Sequence, residues 1–128
     1  LEEGLSFDLS AAAWRQSLSD EKSFVEALAT RLSGALPDKT QVTRERKLFS
    51  KVERVRQIIV AFDRDEYLLN FDPSHGVRTD RATVVRGIRL KTESVSFPEW
   101  LSALSAEITA YAQEHQHVRA LLEEFLMS

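Results

Sequence analysis

The stretch RVRQIIVAFDRDEYLLNF, residues 54–71, decides the fold. In its first half Ile58, Val60 and Phe62 stand two apart, and in its second half Tyr67, Leu69 and Phe71 do the same. A period of two places alternate side chains on one face of an extended chain, so each half reads as a strand with one apolar face. Between them Asp63-Arg64-Asp65 is short and polar, and aspartates bond readily to nearby backbone, so the link reads as a tight turn. The two strands therefore form an antiparallel hairpin.

Working outward, Asp72-Pro73-Ser74-His75-Gly76 collects the residue types that turns use, and a further strand is expected from Thr79 to Arg86 with Ala82 and Val84 inward. Gly87 marks a bulge or tight bend, after which Ile88, Leu90 and Thr92 continue as another strand. Upstream, Thr40, Val42 and Arg44 alternate with polar residues and give a first, edge-like strand.

Both ends of the chain read as helical. From Asp20 to Ser33 the residues Phe24, Val25, Leu28 and Leu32 share one helical face. Ser19 is a suitable N-cap, Asp20 and Glu21 put negative charge at the positive end of the dipole, and Gly34 with Pro37 signals the stop. Ala11 to Ser17 suggests a short helical turn carrying Trp14, with Leu18 also reaching the core. Ser96-Phe97-Pro98-Glu99 matches a capping box, with proline tolerated in the first turn. It opens a stripe of Phe97, Trp100, Leu101, Leu104, Ile108 and Tyr111. Val118, Leu121, Leu122, Phe125 and Leu126 form a second stripe beyond the polar patch 113–117, as one long helix or two with a bend near Glu114.

The expected fold is thus α+β: an N-terminal helix, a four- to five-stranded antiparallel meander sheet, and one or two C-terminal helices packed on one sheet face. A small, strongly curved sheet closed by the C-terminal helix is the alternative. The 128 residues suit a single domain, 1–128, with 1–8 as a loose lead-in.

With 43% apolar residues and a mean hydropathy of −0.27, the chain has material for one core and no apolar run approaching a membrane span. The absence of cysteine rules out disulfides, thiol nucleophiles and thiolate metal sites. A soluble, cytoplasmic protein is expected, with export left open and no cofactor.

The net charge of −3 hides an asymmetry: residues 1–37 sum to −3, 38–91 to +5 and 92–128 to −5. The basic middle coincides with the strands. Arg44, Arg46, Arg54 and Arg56 all occupy even positions, and with Arg86 and Arg89 they form a candidate polyanion-binding face. Interleaved aromatics are missing, and Glu45 and Glu53 interrupt the cluster, so solvated ion pairs on an outer sheet face are the simpler account.

Catalytic signals are sparse. His115 and His117 are two apart and do not share a helix face, and His75 sits in a turn, so all three read as solvated polar residues with no metal site. Asp63, Asp65 and Glu66 cluster in a turn but lack the glycine and further oxygens of a calcium loop. No G-x-S-x-G elbow or phosphate-binding glycine loop occurs. The reading that follows is a non-enzymatic protein-interaction domain, an adaptor or accessory subunit that binds another protein or a second copy of itself. Its candidate contact residues are Leu121, Leu122, Phe125 and Leu126, whose acidic neighbours Glu123 and Glu124 argue against a membrane partner. Polyanion or nucleic-acid binding through the arginines is the alternative. An enzyme with an unrecognised site, kept open by Asp63, Asp65 and the histidines, is third.

Overall fold

The computed structural model describes residues 18–46, 48–49 and 51–127, except for the side chains of residues 18–20 and 117–127. The elements run α1 (Leu18–Ala35), β1 (Thr40–Arg46), β2 (Glu53–Ala61), β3 (Asp65–Asp72), β4 (Gly76–Val85), β5 (Ile88–Ser94) and α2 (Phe97–Met127). The five strands make one antiparallel sheet in chain order, open at β1 and β5. The protein is therefore an α+β meander with five strands. The expected lead-in at 1–8 and helical turn at 11–17 lie outside the described residues.

Two compact units are distinguishable: one contains α1, the sheet and the first turn of α2 through Trp100, the other contains α2 from Leu101 onward. In the first unit α1 lies against β1 and β2 and reaches β4. Val25, Leu28, Ala29 and Leu32 are buried along its inner face, as are Val55, Ile58 and Val60 of β2. The helix runs through Gly34 and ends at Ala35, because Leu36 precedes Pro37 and is disfavoured from helical geometry by the proline ring. Thr40 Oγ1 then donates to the Leu32 carbonyl at 3.2 Å, tying the start of β1 to the helix end.

An aromatic row joins the elements of this unit. Phe24 of α1 meets Phe97 edge-on at 5.5 Å, and Phe97 stacks on Trp100 at 5.9 Å. Trp100 meets Tyr67 of β3 at 6.2 Å, and Tyr67 meets Phe62 at 6.0 Å, both edge-to-face. Edge-to-face contacts suit the ring quadrupoles, and Trp100 is fully buried with its indole N–H donated to the Asp80 carbonyl at 3.1 Å. The first turn of α2 is fixed by Ser96: its hydroxyl accepts from the Glu99 N–H at 3.4 Å and donates to the Glu99 carboxylate at 2.9 Å. The glutamate therefore reaches the serine hydroxyl, where the usual capping box would aim it at the serine N–H.

In the second unit α2 continues unbroken past Glu114 to Met127, so the C-terminal stripe belongs to one long helix. Leu101, Leu104 and Ile108 are buried. Among the described residues no helix is long and apolar enough to cross a membrane.

Register explains what alternation alone does not. Leu69 faces Thr79 and Tyr67 faces Arg81, so the odd residues of β4 share the Tyr67 face. Ala82 and Val84 are buried as expected, but on the opposite face, together with Leu68. The central strands thus bury side chains on both faces. A second departure lies at the β1–β2 pair, where Thr43 faces Gln57 but Arg44 faces Val55. Arg56 is an extra residue, a β-bulge that resets the alternation so that Val55 and Ile58, three apart, are both buried.

Candidate interaction surface

The bulge determines where the arginines go. Arg44 lies on the helix side of the sheet, where its guanidinium meets Glu26 of α1 at 3.0 Å. Arg46 shares that side and pairs with Glu53 across the strands at 3.4 Å. Arg54 faces Glu45 in register, and both Arg54 and Arg56 reach the Glu45 carboxylate at 3.7 Å. Arg54 and Arg56 therefore occupy the other side of the sheet from Arg44 and Arg46. The four arginines are divided two and two.

Glu26 does more than pair with Arg44. Its second oxygen accepts the Val55 N–H at 2.8 Å, at the point where the bulge breaks the ladder. One carboxylate thus joins α1 to the irregular step of the sheet. Sequence reasoning missed this role, because Glu26 sits within the helix as an ordinary polar residue and its partner is 29 positions away.

The remaining basic and acidic candidates are mostly engaged with one another. Arg89 bonds Glu66, spanning from β5 to β3 across β4 at Ala82 and Val84. Arg81 approaches Asp65 at 3.5 Å and lies over the Tyr67 ring at 5.3 Å, a cation–π contact. Two of the three carboxylates in the 63–66 turn are thereby held by cross-strand partners. Arg86, at the β4–β5 turn, is exposed and has no ion pair among the described residues.

The Asp72–Gly76 turn forms a compact polar cluster. Asp72 accepts the Ser74 N–H at 2.8 Å, its carboxylate lies 3.2 Å from His75 Nδ1, and Arg56 stands 4.0 Å away. The Ser74 N–H first, and then the His75 side chain, hold the Asp72 carboxyl below its ordinary value of 3.8. A cleft of about 490 Å³ opens here, lined in part by Arg56, Asp72, His75 and Arg78. Its basic side chains already face a carboxylate: Arg56 and His75 share Asp72, and Arg78 approaches Asp80 at 3.5 Å.

His115 Nδ1 lies 3.0 Å from the Tyr111 carbonyl, and its ring lies against the Tyr111 ring at 3.8 Å. The side chain of His117 lies outside the described residues, as do those of Leu121, Leu122, Phe125 and Leu126. Among the described residues no group of three His, Asp or Glu side chains is placed to hold a metal ion.

The feature that sequence reasoning did not single out is apolar. Among the described residues six large hydrophobic side chains are exposed, and these belong to two hairpins at diagonally opposite corners of the sheet. Leu48, Phe49 and Val52, at 83%, 98% and 67% exposure, occupy the β1–β2 connection. Val85, Ile88 and Leu90 flank the β4–β5 turn. That turn has Arg86 at φ 53° and Gly87 at φ 81°, two successive left-handed residues as a tight type I′ hairpin requires. Phe49 also adopts a left-handed backbone, φ 69°, which is uncommon for a bulky residue. A reader of the sequence could have noticed Leu48-Phe49 between Lys47 and Lys51, an apolar pair in a segment otherwise made for a turn.

Comparison with protein-family models, with curated proteins and with solved structures finds no match.

Proposed function

We propose that the chain is a non-enzymatic protein-interaction domain, an adaptor or accessory subunit whose partner is another protein or a second copy of itself. The observation that supports this most is the gathering on two hairpins of the six large hydrophobic side chains exposed among the described residues. Apolar surface left in water forgoes the stabilisation of burial, and when it is concentrated rather than scattered it marks a contact site. On this reading Leu121, Leu122, Phe125 and Leu126 at the end of α2 remain candidate contacts as well.

The alternative, polyanion binding, draws on the same basic strands. Its weakness is that Arg44, Arg46, Arg54, Arg56 and Arg89 each have a carboxylate within 4 Å and lie on two sides of the sheet. Phosphate would have to displace those partners, five of the six candidate arginines being already paired.

The test is to use the full chain as bait in a lysate of its source organism, with and without nuclease. The interaction reading expects a polypeptide retained at defined stoichiometry after nuclease treatment. Retention of nucleic acid alone, lost at moderate salt, would replace it with the polyanion reading. Replacing Arg54 and Arg56 by glutamate should then weaken binding and reduce its salt dependence.

A further inference from the structure

We propose that the β1–β2 hairpin tip is a recognition knob, and that its occupant is an apolar pocket with a carboxylate rim on a different protein. The inference rests on the interaction reading above and names the surface and the chemistry of the partner. Three observations support it.

The first is position. Leu48, Phe49 and Val52 project from a six-residue connection between two strands, and Phe49 is 98% exposed. A convex group of this kind enters a concavity. An aromatic anchor filling a pocket is the commonest way a small contact supplies most of a binding energy.

The second is backbone conformation. Phe49 stands at φ 69°, a geometry that glycine adopts without strain and that costs a bulky residue free energy. The fold draws almost no burial from this phenyl ring in return. A large side chain held at a strained position, and making little use of it in the folded chain, points to a use outside the chain.

The third is charge. Lys51 is exposed without an ion pair among the described residues, and Lys47 precedes Leu48 in the sequence. Nearby, Arg46 and Glu53 neutralise each other. The described tip is therefore apolar with the positive charge of Lys51 beside it, and its complement is apolar with a negative rim. An anionic membrane fits less well, because the chain carries a net charge of −3 and the sequence of this connection holds no cluster of four or more basic residues. The other exposed apolar hairpin of a second copy fits less well too, being itself a turn with Arg86, which has no ion pair among the described residues, at its apex.

The experiment places the photoreactive residue p-benzoylphenylalanine at position 49 of the full chain, in cells of the source organism. A parallel sample carries it at Ile88. The expected result is one dominant polypeptide adduct from position 49, with the cross-link mapped to an apolar site having Asp or Glu within a few residues. With that protein purified, Phe49→Gly should weaken binding by about 30-fold, as expected for a hot-spot aromatic, and Lys51→Glu should weaken it by about 10-fold. Adducts to lipid, to a second copy, to many unrelated polypeptides or to nothing would overturn the proposal. A single partner captured from Ile88 but not from position 49 would remove the knob and leave the interaction reading standing. Absence of adducts at both positions would count against both.

Discussion

Removing the Glu26 carboxylate should destabilise the fold far more than removing its visible salt-bridge partner. The Glu26–Arg44 pair is partly exposed, with side-chain exposures of 32% and 39%, so screening limits its worth to less than about 1 kcal/mol. The hydrogen bond from the Val55 N–H is different, because Val55 is 1% exposed and its donor sits where the ladder is interrupted. Leaving that donor without an acceptor costs roughly 1–3 kcal/mol. Glu26→Ala is therefore expected to lower stability by about 2 kcal/mol, which for a chain of this size moves the melting temperature by about 8 °C. Glu26→Gln keeps an amide oxygen within reach of Val55 and should cost about half as much, while Arg44→Ala should cost less than about 0.5 kcal/mol. Urea unfolding of the three variants gives the ranking. Amide hydrogen exchange at Val55 gives the local reading, with protection lost in Glu26→Ala and retained in Arg44→Ala. Equal costs for Glu26→Ala and Arg44→Ala, or unchanged protection at Val55, would refute the reasoning.

Other perturbations have equally direct outcomes. Gly87→Ala should cost about 1–2 kcal/mol by denaturant unfolding, because φ is 81° and the added methyl would meet nothing within 4 Å, so the penalty is conformational alone. Trp100→Phe should cost about 2 kcal/mol by the same measurement, since it removes both a buried hydrogen bond and ring volume from the aromatic row. Burial raises the Glu21 carboxyl above its ordinary 4.5, and its Oε1 is buried with no hydrogen-bond partner among the described residues. A raised folded-state value means that stability is fully present below the unfolded-state value and is lost as pH rises through the folded one. Glu21→Gln should therefore raise the melting temperature at neutral pH, with the gain vanishing below the carboxylate range in a pH series of thermal melts.

Much of the fold can be read from short-range pattern. The alternation in 54–71 specifies β2, β3 and the turn between them, and the Asp72–Gly76 segment is a turn because proline, aspartate and glycine each supply a conformation the hairpin needs. Ser96 and Glu99 mark the start of α2 correctly, although their side chains bond to each other in a different way from the usual box.

What the sequence hides is long-range or depends on single-residue insertions. The bulge at Arg56 has no residue-type marker, yet it shifts the strand parity and separates Arg54 and Arg56 from Arg44 and Arg46. A pattern of even positions that looks like one positive face therefore becomes two, each with its own carboxylates. Burial on both faces of β3, where Tyr67, Leu68 and Leu69 are consecutive, likewise breaks the one-sided expectation for a half-covered sheet. The candidate contact residues Leu121, Leu122, Phe125 and Leu126 rest on the helical period alone. Leu48 and Phe49 escaped notice because they sit where no period applies, and Ile88 and Leu90, though read as strand residues, lie exposed on β5 because a period of two does not say whether an edge strand is covered.

The most direct test of the account is to measure Phe49→Gly in two ways at once, by urea unfolding and by affinity for the partner identified from position 49. Stability should stay level or rise by up to about 1 kcal/mol, because glycine relieves the left-handed strain and little packing is lost, while binding falls by about 30-fold. A loss of stability greater than about 1 kcal/mol would make Phe49 a structural residue, and unchanged affinity would remove the hairpin tip from the recognition surface.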